Sequence, residues 1–383
     1  MHLLLPCLGK KQDLIKELPQ VAWSLIGSSL RVQVIFWFLI GTLLSSVLPN
    51  AVVCATITPI AVSMLRYVGE KDIAKSKAGS LLLLTIAYAA GLGGLASPLG
   101  GAMNLTVVDY LEQLSGQEYM YTSWVVRFLP FVIVLVISNI LMLLIGTKKG
   151  EQLKGSREYF IKQFKAMPKI TREEIMSLVL FLVATTLAFS RQLYKDLLPG
   201  LEPAYAFMAC GILSFFITKK DGTRVMRWSS AQKKMPWDMI YVFAGGLAVG
   251  ALIEKSGAAE AIGNLFASMN LNGGFVTVLI IISFTLIMSD ITSNTATAAI
   301  TIPIVIALAK GMGEDPIPYV YVATIGVNLS YMLPTSIRAI PVGYGLQPKY
   351  MLKKGVPISV VVILLTSVMG YLFIKFWPAF LTV

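Results

Sequence analysis

Apolar runs of roughly bilayer length alternate with short polar breaks along almost the whole chain. Residues 32–48 are apolar, Pro49-Asn50 interrupts them, and 51–65 are apolar again. Proline removes a helix donor and biases the residue before it against the helical region, so the two arms predict a helical hairpin turning inside the membrane. Residues 78–95 form the next run, which breaks between Gly93 and Asn104 and resumes over 105–114. Glycines and a proline within an apolar segment predict a helix unwound at its middle. A span over 125–145 follows, then a basic loop over 148–172, two spans over 175–188 and 204–217, and a second basic loop. Beyond it the pattern predicts a span over 237–252 and an interfacial helix over 254–269. A second hairpin follows, with arms at 275–288 and 296–309. The stretch from Ser289 to Pro303 around its tip carries small hydroxyl and amide side chains with one carboxylate, Asp290. Such a polar island is costly in hydrocarbon unless protein or a water-filled cavity covers it. Residues 319–333 lead to a second break at Pro334 to Pro341, then 342–346, and 356–376 make the last span.

The two hairpins align as internal copies. Placing Pro49-Asn50 over Ser293-Asn294 pairs Ser45 with Ser289, Ala55 with Ala299, Pro59 with Pro303 and Ile60 with Ile304. Each hairpin is followed by a broken span. The basic loops lie where positive residues are retained in the cytoplasm, which puts the first hairpin on the inner side and the second on the outer side. Repeats of opposite orientation predict a secondary transporter whose site lies where the two polar tips meet. The expected organisation is an N-terminal stub (1–29), a first repeat (30–147), a cytoplasmic loop (148–172), two scaffold spans (173–218), a second loop (219–236) and a second repeat (237–383). The span at 237–252 has no counterpart before Val32, and 1–20 reads as a broken end, so further scaffold spans are expected upstream.

Composition places the chain in the same class. Of its 383 residues, 56% are hydrophobic and 14% charged, and the mean hydropathy is +0.74. That is too little polar surface for a soluble protein, so the fold class is an all-α polytopic membrane protein. The net charge of +12 sits in the loops between apolar segments, which fits topology and lipid headgroups and excludes a nucleic-acid groove. Cys7, Cys54 and Cys210 are widely spaced and His2 is the sole histidine, so neither a disulfide frame, a transition-metal site nor a Ser/His/Asp triad is indicated. No phosphate-cradling Gly-Lys-Ser/Thr loop occurs. Nothing points to an enzyme.

The tip Ser293-Asn294-Thr295-Ala296-Thr297 resembles the signature of the divalent anion/sodium symporter family, and the resemblance covers essentially the whole chain. It implies an elevator-type carrier of dicarboxylates, citrate or sulfate, usually a homodimer, in the plasma membrane of a prokaryote. In such a carrier a transport domain holding both hairpins and both broken helices slides against a scaffold. Carried over by position, Asn50, Gly101, Ser293, Asn294, Thr295 and Arg338 are the expected substrate contacts. Ser45, Asn50, Gly100, Ser289, Asn294 and Ser336 are the expected sodium sites, with Na⁺ the coupling ion. The first hairpin departs from the pattern, with Pro49 and Ala51 where serine and threonine are usual. Ser97-Pro98-Leu99-Gly100 keeps the family's first broken loop, Gly101-Ala102-Met103 replaces Thr-Pro-Pro, and Asn104 is retained.

The second broken loop departs further, since Ser336-Ile337-Arg338-Ala339-Ile340 stands where small neutral residues are expected. A buried arginine needs an anionic partner. Arg338 either grips a substrate carboxylate and supplies charge in place of sodium, or pairs structurally, with Asp290 for instance, or snorkels toward Lys349 and the headgroups. Asp290 and Glu254 are candidates for proton coupling. The leading expectation is a secondary carrier of small divalent organic anions, sodium-coupled or exchanging anions. The alternatives are a sodium/proton or arsenite carrier of the same superfamily, or an anion-binding subunit or fragment that does not transport.

Overall fold

The computed structural model describes residues 27–237 and 273–383, apart from 149, 167, 169, 220, 234 and 236, together with isolated positions within 238–272. The stub up to residue 26, much of the expected span at 237–252, most of the interfacial helix at 254–269, and Glu254 therefore lie outside the described residues. Among the described residues every regular element is helical, with two isolated bridges, Ser29 with Gln152 and Thr218 with Arg224. Among the described residues, five helices are long and apolar enough to cross a membrane.

The chain divides into two compact units. One comprises 26–119, 123–156 and 239–383, and the other 1–25, 120–122 and 157–238. In the first, α1 (Leu30–Ser45) and α2 (Asn50–Tyr67) form the first hairpin. The buried residues of α1 are Leu30, Gln33, Val34, Trp37, Phe38, Gly41, Thr42 and Ser45, one stripe at helical spacing. Gln33 is tolerated there because its Oε1 accepts from Trp37 Nε1 at 3.0 Å and its Nε2 donates to Gly27 O at 3.1 Å. That stripe packs on α3 (Lys77–Gly94), started by Ser76, whose hydroxyl accepts from Gly79 N at 2.8 Å. A single turn at Pro98–Gly100 and then α4 (Ala102–Ser115) complete the first broken helix.

Next comes α5 (Tyr121–Leu144), longer than a bilayer requires and only 33% buried over its apolar window, against 89% for α3. The difference assigns roles: α3 is interior, and α5 exposes an apolar stripe of Val126, Leu129, Ile133, Ile137 and Leu141 for lipid to cover. In the second unit, α6 (Ser156–Ala166) lies in what the charge pattern predicts as a plain loop. After it, α7 (Arg172–Phe189) opens with a capping box in which Glu174 Oε2 accepts from Thr171 N at 2.7 Å and Thr171 Oγ1 from Glu174 N at 3.3 Å. It packs on α8 (Pro203–Ser214), which has 12 residues and falls short of the expected span over 204–217.

Returning to the first unit, α9 (Phe275–Ile291) and α10 (Asn294–Gly311) form the second hairpin, at the predicted place. It is followed by α11 (Pro316–Asn328), which begins at Pro316 with the Asp315 carboxylate accepting from Ile317 N at 2.8 Å. As α1 packs on α3, so α9 packs on α11. Hydrocarbon tails are as apolar as leucine, so close packing rather than water exclusion holds such helices together. Glycines allow it in both places: a Cβ on Gly93 would strike Thr42 and Ser45 of α1, and one on Gly326 would strike Thr285 of α9.

Two boundaries of the second broken helix differ from expectation. The helix ends at Asn328 rather than running to Leu333, because Asp290 Oδ1 takes the N–H groups of Tyr331, Met332 and Leu333 that another turn would direct along the axis. The limb after the break is a short helix, Ala339–Gly343, rather than 342–346, and the final helix, α12 (Pro348–Phe376), starts ahead of the expected 356. Its Val356, Val360, Leu364, Val368 and Leu372 make a second exposed apolar stripe.

Candidate functional site

Both hairpins end at an asparagine that starts a helix. Asn50 is the first residue of α2 and Asn294 the first of α10, and the side chains are 7% and 3% exposed. Each reaches the C-terminal end of the helix it packs against. The Asn50 amide nitrogen lies against Gly94, the last residue of α3, and near Gly101. Asn294 Nδ2 donates to Asn328 O, the last residue of α11, at 3.2 Å.

The serine one turn back does the same work in both hairpins. Ser45 Oγ donates to Ala90 O at 2.7 Å, and Ser289 Oγ to Val327 O at 2.8 Å. Ser289 Oγ also lies 3.3 Å from Asn294 Oδ1. Helix ends in a low-dielectric interior must have their carbonyls satisfied, and these hydroxyls and amides supply the donors.

Asn104 and Asn328 join the two halves. Asn104 Nδ2 donates to Gly94 O at 2.6 Å and to Ser97 O at 2.9 Å, and its Oδ1 accepts from Asn328 Nδ2 at 2.8 Å. Both are fully buried. A hydrogen-bonded path thus runs from Gly94 through Asn104 and Asn328 to Asn294, with Asn50 lying beside its Gly94 end, and helix α4 packs on both α10 and α11. The sequence pattern did not single out Asn328. Its signal was present, however: it is the one amide side chain in the apolar helix Pro316–Asn328.

The backbone of the first break is satisfied in the same economical way. Trp124 Nε1 donates to Leu95 O at 2.8 Å, Ser97 Oγ donates to Ser46 O, and Gly100 packs on the backbone of Gly94 where no Cβ fits. At the second tip, Ser293 is exposed and caps α10 by accepting from Ala296 N at 3.2 Å. Thr295 is half-buried, and Thr292 Oγ1 lies 2.7 Å from Thr297 Oγ1.

Ser336 is exposed, and with φ of 51° it is the one non-glycine residue in the left-handed region among those described. Two positions on, Arg338 is 1% exposed. Its guanidinium donates to Leu333 O at 2.7 Å, Thr335 Oγ1 at 2.6 Å, Ser289 O at 3.4 Å and Ser330 Oγ, and lies 3.6 Å from Asp290 Oδ1. Of the readings open at the sequence level, this arrangement is the pairing with Asp290. Neither a snorkelling side chain nor one presented to a cavity fits a side chain so enclosed. Tyr88 closes the cluster, its hydroxyl donating to Tyr331 O at 2.6 Å.

No group of histidine, cysteine or carboxylate side chains among the described residues could hold a metal ion. The polar core is made instead of carbonyls, amides and hydroxyls. A profile of the citrate transporter family (CitMHS) matches residues 13–326. The chain belongs to the citrate transporter family. Among its relatives is the sodium-dependent dicarboxylate transporter SdcS of Staphylococcus saprophyticus, 30% identical over 361 residues, 90% of this chain and 69% of that protein. The transporter is also 27% identical to an uncharacterized transporter of Haemophilus influenzae, over 94% of this chain and 77% of the other. The SdcS of Staphylococcus aureus is 26% identical over 84% of this chain and 65% of its own length. The transporter is thus an integral membrane protein of the citrate transporter family and not an enzyme.

Proposed function

We propose that the transporter is a secondary carrier of small divalent organic anions, C4-dicarboxylates first, with the anion held between the two hairpin tips. The observation that carries this reading is the convergence of Asn50 and Asn294 on the buried Asn104–Asn328 pair. Helices α2 and α10 start at those asparagines, so their unpaired N-terminal N–H groups and positive dipole ends lie at the tips. Ser293, Thr295 and Gly101 complete the anion contacts. Ser45, Asn50 and Gly100 form a first sodium site, in keeping with relatives named as sodium-dependent.

The two halves are inverted copies, supported by the matched pairs Ser45/Ser289, Asn50/Asn294 and Gly93/Gly326, each making the same kind of contact. Alternating access is an elevator movement of the hairpins and broken helices in a homodimer. Bacterial relatives support a plasma-membrane location. Counterflow of labelled succinate in proteoliposomes tests the reading. Wild type should accumulate label, unlabelled malate and fumarate should compete, and Asn294→Ala should lower apparent succinate affinity about tenfold, for the loss of one amide contact to a charged group. Absence of counterflow with any dicarboxylate, citrate or sulfate would overturn it, and competition by arsenite alone would favour the other branch of the superfamily.

A further inference from the structure

We infer that the Arg338 guanidinium is a built-in cation occupying the place of a coupling ion in the second repeat, so that this half of the transporter binds no sodium. The inference deepens the carrier reading and rests on it for its link to transport. Five oxygens surround the guanidinium: the carbonyls of Ser289 and Leu333, the hydroxyls of Ser330 and Thr335, and the carboxylate of Asp290. Carbonyl, hydroxyl and carboxylate oxygens at an unwound helix are the donor set a hard alkali cation takes in a secondary transporter.

The charge account agrees. Asp290 and Arg338 are each 1% exposed, and each would be a buried unpaired charge without the other. Asp290 Oδ1 fixes three N–H groups of the break, and Arg338 fixes the Leu333 carbonyl of the same loop. The loop that a bound ion would order on each cycle is here ordered permanently by a side chain. Nothing comparable stands in the first repeat. There the corresponding loop is held by Ser97, Asn104 and Trp124, none of them charged. A mobile cation is therefore needed at most once per transport cycle.

Equilibrium binding of ²²Na⁺ to the purified protein and the sodium dependence of succinate counterflow test this together. Wild type should bind at most one sodium per chain, and its transport should show a sodium Hill coefficient near one or no sodium requirement. Arg338→Gln should bind one sodium more and acquire a steeper sodium dependence, because Asp290 then lacks its cation. Arg338→Lys should keep the wild-type count. The double variant Asp290→Asn/Arg338→Gln, which removes both charges, should not gain the ion. Two sodium ions bound by wild type, or an unchanged count in Arg338→Gln, would overturn the inference. Should Arg338→Gln fail to fold, the wild-type count still decides it. Binding is read without transport, so a protein that moves no dicarboxylate would sink the carrier reading and leave this count to stand or fall separately.

Discussion

Asn104 shows how much one side chain can hold when water is absent. Its amide nitrogen serves two carbonyls freed by the break in the first repeat and its oxygen accepts a hydrogen bond from Asn328 Nδ2. Asn104→Ala removes three hydrogen bonds but leaves only Gly94 O without a partner, since Ser97 O still accepts from Gly100 N and Asn328 Nδ2 still donates to Thr324 O, so the cost is about 1–3 kcal/mol. The expected result is a fall of a few degrees in the melting temperature of the detergent-solubilised protein, with succinate affinity lowered as well if the proposed site lies beside this pair. Asn104→Asp keeps the acceptor but sets a carboxylate oxygen against the Gly94 and Ser97 carbonyls in a fully buried site, so it should destabilise at least as much. The signature asparagines were legible in the sequence because a polar run in an apolar segment is conspicuous. Asn328 was not, because a single amide at the end of an apolar run resembles any helix terminus. Arg338 was legible as an anomaly, but its partner was one of several candidates until Asp290 Oδ1 was found 3.6 Å away.

At the scale of elements, the hairpins and broken helices depend on how closely two backbones approach. Gly93 and Gly91 lie on the same helix two residues apart and predict opposite outcomes. A Cβ at Gly93 would strike the backbone of Thr42 and meet Ser45 Cβ at 2.8 Å, whereas one at Gly91 would meet Ile337 Cδ1 at an ordinary 3.6 Å. Gly93→Ala should destabilise by about 1–3 kcal/mol as an overpacked contact. Gly91→Ala should be neutral or gain about 0.5–1 kcal/mol from helix propensity. Thermal melts of the two variants beside wild type separate the cases. Sequence marked Gly93 as the start of a break and left Gly91 within the apolar run, and neither reading shows which of them a neighbouring helix crowds.

For the whole molecule, the central expectation is that the two hairpins enter from opposite sides. Lys71 follows the first hairpin and Glu314 the second, and both are exposed. In a Cys7→Ser background, where the remaining Cys54 and Cys210 are buried, Lys71→Cys should react with a membrane-impermeant maleimide only from the cytoplasmic face. Glu314→Cys should react only from the outer face. Labelling of both from one side would exclude inverted repeats. The apolar stripes of α5 and α12 fit the same picture, as surfaces that only lipid or another protein chain would cover.

The sequence by itself determined the membrane class, the places of both hairpins and both breaks, and the tip residues from which the family is recognised. Apolar run length, proline and glycine act locally, so they can be read without knowing what lies alongside. Tertiary structure decided the rest. It ended α11 at Asn328 because a carboxylate some 40 residues earlier in the chain takes the N–H groups beyond it. It joined the two broken helices through Asn104 and Asn328, and it turned Arg338 inward onto Asp290. Each of these is a long-range partnership in a medium without water, where every polar group must find another and the sequence names only the candidates.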